Sequence, residues 1–336
     1  MESVLRGFNV SRVSKVFVCS MCVVGYIFLL YGKKLFIENN QSSYAFLMSI
    51  QLGECALPWW DGALDNCSAI IQKFMVQNNT TRSYCGKRAD FAGPKQKVIT
   101  YCLFGNYATY ASGFPEILQA ITNFYPGWLV RLYTEPSKYV TELAPLMQQH
   151  PNLYVCDVSN LPGNIADLRG PDPRLWRVAV LGDETVDVFL SRDIDAVILD
   201  REVAAVHEFL KSGKTLHTMR DHPGHHQPVL TGMFDVNQTA SNRSLLNAIR
   251  GQLFGKFETL SDQDLLEKYL YHKLMHDSIS HDSYHCHRNP STVPFPNQRK
   301  AHMFVGNARY RNIHSEVTTE CPAICRPRNH QDWKFC

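Results

Sequence analysis

Residues 186–195 read VDVFLSRDID, and this stretch decides the fold that we expect for the chain. Val186–Leu190 predicts a buried strand, because short apolar runs of this kind are typical of sheets that are covered on both faces. Asp193 and Asp195 follow the strand with one residue between them. Since ligands of open α/β sheets bind outside the carboxyl ends of the strands, the stretch predicts a binding site at this strand end.

Predicted strands and helices alternate around this stretch. The expected strands are Val98–Phe104, Leu129–Tyr133, Leu153–Cys156 and Val186–Leu190, and the expected helices are Glu116–Phe124, Lys138–Gln149 and Arg201–Leu210. Asp200 is the expected N-cap of the last helix, and Gly213 is its expected stop. This order predicts an α/β fold with a Rossmann-like, mostly parallel central sheet and helices on both faces.

The pair Asp193 and Asp195 is the expected site of a divalent cation. Carboxylate oxygens suit a hard cation such as Mn²⁺ or Mg²⁺, which would also hold the diphosphate of a substrate and neutralise charge on a leaving phosphate. An Asp-x-Asp triplet is short enough to occur by chance, and a polar turn with a capping acid is the alternative interpretation. The position directly after an apolar strand favours the metal site.

A second Asp-x-Asp triplet at residues 262–264 has a simpler explanation. Ser261 and Asp264 predict a capping box that opens a helix over Asp264–Leu274, with acidic residues in the first turn. Asp262 would then be explained by helix chemistry alone. A carboxylate that faces the site from a helix start would still be able to orient an acceptor hydroxyl or take its proton.

Histidines concentrate between residues 217 and 226 and between residues 272 and 287. We expect His285, in preference to His281 or His287, to be the third ligand of the metal. A zinc hydrolase built on these clusters would need three ligands and an open position. It ranks below the carboxylate site, because the chain has no H-E-x-x-H pattern.

An uncharged apolar run at residues 16–32 predicts a membrane span. At 1.5 Å per residue the run is about 25 Å long, which is at the short end for a bilayer. A cleaved signal peptide or a buried core helix are the alternatives, but no small-x-small cleavage site follows the run. The expected organisation is a cytoplasmic tail (1–15), a signal anchor (16–32), a lumenal stem (33–96) and a catalytic domain (97–336).

Six N-x-S/T triplets follow the apolar run and favour a lumenal location for the rest of the chain, in a type II protein of the Golgi or endoplasmic reticulum membrane. They begin at Asn40, Asn66, Asn78, Asn79, Asn237 and Asn242. Nine cysteines also follow the run, and an oxidising lumen would pair most of them and leave one over. The pairing is open, and zinc at Cys321, Cys325 and Cys336 is the alternative for that cluster.

The charge distribution excludes one class of partner. The first 34 residues hold five of the 34 basic residues and one of the 31 acidic residues, so the remainder is close to neutral. A nearly neutral domain has no electrostatic surface for a nucleic acid backbone.

The order of the motifs resembles that of GT-A glycosyltransferases, especially glycosyltransferase family 8. A strand, a DxD pair, a small-residue segment, a D-Q pair that opens a helix and a late histidine occur in the same order. More closely, YPGW at 125–128, SRDxD at 191–195 and MRDHP at 219–223 resemble a GT-A-like family of bacteria and animals. The resemblance covers about residues 98–290.

The resemblance implies a role for several individual residues. Asp193 and Asp195 would hold the cation and the donor diphosphate, and His285 would complete the metal site. The residues implied in contacts with the nucleotide-sugar donor are Leu103, Gly105, Arg177, Arg192, Asp193 and Gln263. Asp262 and Gln263 would line the donor-sugar or acceptor side, and an inverting enzyme would need Asp262 or Asp221 as its base.

The expected activity is transfer of a sugar from a nucleotide-sugar, of the UDP type, to a glycan or glycoprotein acceptor. The chain departs from the family pattern at Ala196, Thr231 and Asp235. The loss of a glycine and the gain of an acid near the expected sugar pocket favour an alternative, which is a catalytically inactive lumenal protein that binds a sugar or a partner.

Overall fold

A computed structural model describes residues 60, 82–90, 92–163, 165–255, 259–288, 291–308 and 316–336. They lie within one compact unit, Cys55–Cys336. The predicted tail, membrane span and most of the predicted stem lie outside the described residues, as do four predicted glycosylation sites, Asn40, Asn66, Asn78 and Asn79. Among the residues that the structure describes, no helix combines the length and apolar character that a membrane span needs.

An eight-stranded mixed sheet forms the centre of this unit, in the spatial order β3-β2-β1-β4-β6-β5-β7-β8. Its strands are β1 (Gln96–Cys102), β2 (Leu129–Thr134), β3 (Leu153–Asp157), β4 (Val186–Arg192), β5 (Leu216–Arg220), β6 (Met233–Asn237), β7 (Ser278–Asp282) and β8 (Thr292–Val293). β6 runs antiparallel to β4 and β5, and the other neighbouring pairs are parallel. The predicted α/β class with a mostly parallel sheet is therefore confirmed.

The described α-helices are α1 (Lys87–Asp90), α2 (Tyr107–Tyr110), α3 (Phe114–Phe124), α4 (Val140–Gln149), α5 (Asp200–Ser212), α6 (Arg243–Phe254), α7 (Asp262–Leu266) and α8 (His272–Leu274). A π-helical stretch, Glu267–Tyr271, joins α7 to α8. Short 3₁₀ helices cover Pro136–Lys138, Met275–Asp277, Cys286–Arg288 and Ala323–Cys325, and a longer one covers Pro173–Val180.

Helix α5 corrects one predicted cap and confirms the predicted stop. Gly213 ends the helix with a left-handed φ of 67°, a conformation that glycine adopts without steric cost. Asp200 is the first helical residue rather than the N-cap, and Leu199 takes the cap position. An acid in the first turn still stabilises the helix, because it faces the positive end of the helix dipole.

The largest part of the core lies between the β1–β4 half of the sheet and helices α3, α4 and α5. In α3, Phe114, Ile117, Leu118 and Ile121 recur at helical spacing and are all buried. Complete burial of one such side chain contributes about 1.5–3 kcal/mol. This packing holds the carboxyl ends of β1 and β4 at a common edge of the sheet.

Three disulfides lie within the described residues: Cys85–Cys156, Cys286–Cys325 and Cys321–Cys336. They confirm the prediction that most cysteines pair. The alternative of a zinc site at residues 321–336 is wrong, because all three of its cysteines are in disulfides. Among the described cysteines, Cys102 alone is a free thiol, and burial raises its pKa to about 11.

A chain of buried polar side chains crosses the sheet from β4 to β7. Arg192 donates to Asp235, whose other oxygen is 2.5 Å from Nδ1 of His217. Nε2 of His217 lies 2.8 Å from Nδ1 of His281, and Nε2 of His281 lies 3.0 Å from the partly exposed Glu208. The placement of Asp235 near the sugar pocket is wrong, since this carboxylate is fully buried within the sheet.

Candidate functional site

A pocket of about 730 Å³ opens at the sheet edge where β1 and β4 end. Because β6 is antiparallel to its neighbours, the residues just before it reach the same edge, and so do the residues that follow β5. The start of α7 closes the pocket from the side. The pocket therefore lies where the strand order predicted a binding site.

Asp193 and Asp195 both line this pocket. The Asp193 side chain is 43% exposed, whereas Asp195 is mostly buried. Gly232 packs directly against the Asp193 carboxylate, so that a Cβ atom at position 232 would overlap its oxygens. The absence of a side chain at this glycine is what allows the carboxylate to lie against the backbone before β6.

Arg177 holds Asp193 in place from the 3₁₀ helix Pro173–Val180. Its Nη1 donates to Oδ1 of Asp193 at 2.7 Å and to the carbonyl of Arg192 at 2.6 Å. Burial works against the charge of this guanidinium, but the contacts with Cys102 and Asp193 raise its pKa. Arg177 is thus a fixed cation that lines the pocket, and its contact with a donor stays a prediction.

Asp262 and Gln263 line the pocket from the start of α7. The predicted cap is confirmed, since Oγ of Ser261 accepts from the backbone N–H of Asp264 at 3.1 Å. Asp262 is only 5% exposed, and both of its oxygens have partners. Oδ2 accepts from Oγ1 of Thr231 at 2.5 Å, and Oδ1 lies 3.0 Å from Nη1 of Arg174.

Asp221, the other predicted base, does not line the pocket. It is fully buried and paired with Arg201 and Arg299, and it also accepts from the Ser283 hydroxyl and the Val305 backbone N–H. Although burial alone would raise its pKa, the two guanidinium groups lower it. The prediction that Asp221 is a catalytic base is wrong, because its partners shield it from any acceptor in this conformation.

Three predicted donor contacts also need correction. Arg192 is buried beneath the pocket, where its guanidinium contacts Glu202 and Asp235. Leu103 packs in the core, and neither it nor Gly105 is among the pocket-lining residues. Phe104, which lies between them, lines the pocket, because successive side chains of an extended segment point in opposite directions.

His285 does not reach the acidic pair. It is outside the pocket lining, and its Nε2 lies 3.0 Å from the Pro223 carbonyl. His225 and His226 line the pocket instead. Burial and the neighbouring His222 lower the pKa of His225 to about 3, so this imidazole is neutral at physiological pH. No group of three or more metal-binding side chains occurs among the described residues.

The donor set of the pocket fits a cation that takes only part of its ligands from the protein. Asp193 and Asp195 offer carboxylate oxygens, and Mg²⁺ is commonly held by one or two carboxylates together with water and substrate phosphates. The charged residues that line the pocket are three acids and two arginines: Asp193, Asp195, Asp262, Arg174 and Arg177. The local charge therefore favours a cation.

Sequence reasoning missed Arg174 and Tyr110, and at the end of β1 it named Leu103 and Gly105 instead of Phe104, which lies between them. Arg174 is the second residue of the 3₁₀ helix that carries Arg177. Its signal was the stretch Asp172-Pro173-Arg174, since a capping acid followed by proline marks a helix start.

No protein-family model matches the chain, and no curated protein is detectably similar to it in sequence. Among solved structures, a glycosyltransferase involved in the glycosylation of the major capsid of PBCV-1 has a TM-score of 0.33 at 13% identity, over 56% of this chain and 82% of that chain. S. aureus TarS 1–349 has a TM-score of 0.36 at 12% identity, over 54% and 55%. The 4-diphosphocytidyl-2C-methyl-D-erythritol synthase from Anaerococcus prevotii has a TM-score of 0.40 at 9% identity, over 59% and 91%. All three TM-scores are below 0.5.

Proposed function

We propose that the chain is a glycosyltransferase of the GT-A type that transfers a sugar from a UDP-sugar to a glycan or glycoprotein acceptor. The observation that supports this most is the meeting of Asp193 and Asp195 in one pocket at the carboxyl ends of β1 and β4. Two carboxylates at such a strand end are suited to hold a divalent cation that also binds a diphosphate.

The charge balance of the pocket explains why a cation is part of the proposal. Both pocket arginines are already paired with carboxylates, Arg177 with Asp193 and Arg174 with Asp262. A diphosphate would therefore meet an excess of negative charge. A bound Mn²⁺ or Mg²⁺ supplies Lewis-acid stabilisation of the charge on the leaving diphosphate. Asp193 and Asp195 would hold this cation, and Arg177 would keep Asp193 oriented.

Two aromatic side chains at the same pocket support a nucleoside in the donor. Phe104 is 39% exposed and Tyr110 is 38% exposed, although both are large apolar residues. Phe104 is buttressed edge to face by Trp176, with ring centroids 6.1 Å apart. Stacking of a nucleobase on such a ring contributes about 1–3 kcal/mol.

The location of the protein belongs to the same proposal. We infer a single-pass type II protein of the Golgi or endoplasmic reticulum membrane, with the pocket on the lumenal side. The disulfides support it, because disulfides persist in oxidising compartments such as this lumen. Protease protection of an epitope-tagged C-terminus in intact microsomes tests the topology, and cleavage without detergent would contradict it.

Titration calorimetry of UDP, with and without Mn²⁺, tests the donor site. Wild-type protein should give heat of binding that depends on Mn²⁺, and the double variant Asp193→Asn, Asp195→Asn should lose that dependence. Asp167→Asn is a matched control, because Asp167 is an exposed acid outside the pocket lining. UDP binding to wild-type protein that ignores Mn²⁺ would refute the cation site.

A catalytically inactive sugar- or partner-binding protein is the second candidate. The observation that favours it is Asp262, since each of its carboxylate oxygens already has a protein partner in this conformation. Hydrolysis of UDP-sugars by purified protein separates the two candidates. Binding of UDP with Mn²⁺ but no hydrolysis of a panel of UDP-sugars would favour the second one.

A further inference from the structure

Arg174 bridges two carboxylates at the mouth of the pocket. Its Nε lies 3.0 Å from Oδ1 of Asp172, its Nη2 lies 2.5 Å from Oδ2 of the same residue, and its Nη1 lies 3.0 Å from Oδ1 of Asp262. The side chain is nevertheless 49% exposed. The pair with Asp172 is partly exposed on both sides, and pairs of this kind contribute at most about 1 kcal/mol, whereas the carboxylate of Asp262 is buried.

The two arginines of the 3₁₀ helix Pro173–Val180 differ in exposure and in their partners. Arg174 and Arg177 are three residues apart, which places them on the same face of a 3₁₀ helix. Arg177 is only 5% exposed and is bonded to a backbone carbonyl as well as to Asp193. In the contacts given above, the guanidinium of Arg174 binds only the carboxylates of Asp172 and Asp262. One arginine is therefore buried and held by the backbone, and the other lines the pocket with a half-exposed guanidinium.

The partners of the Asp262 carboxylate depend on where the Arg174 guanidinium lies. Its Oδ2 is bound by the Thr231 hydroxyl, so Oδ1 is the oxygen that changes if Arg174 moves. Because Asp262 is almost completely buried but lines the pocket, a new partner for Oδ1 has to come from the pocket. A substrate hydroxyl that enters the pocket would then supply the missing donor, since a buried carboxylate without hydrogen bonds is costly.

We propose that Arg174 is a movable anion-binding residue that leaves Asp262 to pair with the donor diphosphate and thereby frees Oδ1 of Asp262 for a substrate hydroxyl. This inference rests on the proposed function, because it takes the pocket to bind a diphosphate. The movement of Arg174 would leave Oδ1 of Asp262 open to a hydroxyl. Arg174 would thereby couple donor binding to the hydroxyl-binding side of the pocket.

The chain contains a matched control for this arginine. Arg169 and Asp167 form the same two-residue-spaced pair, with Nε to Oδ1 at 3.0 Å and Nη2 to Oδ2 at 2.5 Å. Both side chains are exposed, and neither lines the pocket. Substitution of Arg169 thus removes an equivalent surface pair without touching the proposed site.

The first measurement is calorimetric binding of inorganic pyrophosphate to the purified full-length chain in the presence of Mn²⁺. Arg174→Gln should weaken binding roughly ten- to a hundredfold, as expected when a charge-assisted hydrogen bond is lost. Arg169→Gln should bind as wild type does. Equal affinities for Arg174→Gln and wild type would overturn the proposal while leaving the proposed function intact.

The second measurement uses a substitution that should strengthen pyrophosphate binding instead of weakening it. Asp172→Asn removes the carboxylate that competes for Arg174, so pyrophosphate should bind severalfold more tightly, whereas Asp167→Asn should change nothing. In an Arg174→Gln background the gain should disappear, because the double-mutant cycle isolates the part that acts through Arg174. A gain that persists in this background would refute the proposed role of Arg174 and would identify a general charge effect.

The two proposals fail in different ways. If wild-type protein binds no pyrophosphate at any Mn²⁺ concentration, the proposed function fails, and the role of Arg174 fails with it. If wild-type protein binds pyrophosphate but neither substitution at Arg174 or Asp172 alters the affinity, only the role of Arg174 is refuted. Because Arg174 is half-exposed, both variants are expected to fold, which thermal melting checks.

Discussion

The acids of the pocket and the acids of the core differ in burial and in the number of their partners. Asp221 and Asp235 are fully buried, and each is bound by at least two basic side chains. Asp193 is half-exposed, and a single basic side chain, Arg177, contacts it in an ion pair. The core acids are therefore engaged by buried cations and hold strands together, whereas Asp193 lines the pocket with a half-exposed carboxylate. Asp262 is intermediate, because it is buried but one of its partners is an exposed arginine.

The largest expected effect is on stability and comes from the core. Asp221→Ala should lower the free energy of unfolding by about 3–5 kcal/mol, because it leaves Arg201 and Arg299 buried without their counter-charge. Urea denaturation measures this. Asp193→Asn should change the same quantity by less than about 1 kcal/mol. Similar losses in the two variants would remove the distinction between core and pocket acids.

The second prediction concerns catalytic activity, for which the pocket acid Asp193 should matter much more than it does for stability. Asp193→Asn should reduce the rate of donor hydrolysis with Mn²⁺ on the order of 100- to 1,000-fold, because the carboxylate that would hold the cation is lost. The melting temperature should stay near that of wild type. A variant with undiminished turnover would show that the half-exposed acid has no part in the chemistry.

The third prediction concerns the backbone under Asp193. Gly232→Ala should displace the carboxylate, since a Cβ atom would overlap it. Overpacking of this kind costs about 1–3 kcal/mol, and we expect a loss of Mn²⁺-dependent UDP affinity of about tenfold or more. Gly251→Ala in α6 is the control, because a Cβ there meets no neighbouring atom. Wild-type affinity in Gly232→Ala would argue against the placement of Asp193.

The last prediction is a pH dependence of stability in the chain of buried polar groups. Burial lowers the pKa of His281 to about 4, despite the opposing hydrogen bond to Glu208. The unfolded chain takes up this proton near pH 6.5, so stability is fully present above about pH 6.5 and is lost as pH falls towards 4. His281→Asn should flatten this slope in urea denaturation at several pH values.

Titratable and charged side chains on the neighbouring elements also affect this pH dependence of stability. His217 on β5, Asp235 on β6 and Glu208 and Arg201 on α5 face the imidazole directly or through one residue. His225 and His222 also have lowered pKa values, so the slope should shrink rather than vanish. A slope that is unchanged in His281→Asn would assign the pH dependence to these other histidines.

Apolar patterning predicted the first half of the sheet well and the second half not at all. The predicted strand at Val98–Phe104 and its three successors match β1–β4 with shifts of at most two residues at either end. Strands β5 and β6 carry His217, Arg220 and Asp235, whose side chains are buried only because other strands supply their partners. Sequence pattern does not reveal such partners, so these strands resembled loops.

Because sequence pattern does not reveal such partners, only some of the predicted site residues line the pocket. Asp193, Asp195 and Arg177 line one pocket, because their positions follow from the end of β4 and from one helix packed beside it. Arg192 and Asp221 look equally suited to bind a ligand in the sequence, but buried counter-charges engage both. Only the three-dimensional partners separate a ligand-binding charge from a structural one.

The bond between Cys286 and Cys325 has a consequence for how the chain responds to proteolysis. A single cut anywhere between these two cysteines would leave the carboxyl-terminal peptide covalently attached, so the cut protein would run as one band on a gel until a thiol reductant is added. Sγ of Cys336 lies 3.7 Å from the Ser283 carbonyl, and the Ser283 hydroxyl donates to Asp221. Reduction would thus release a peptide that packs on the residues around Asp221, far along the chain from the strands that carry the acidic pair.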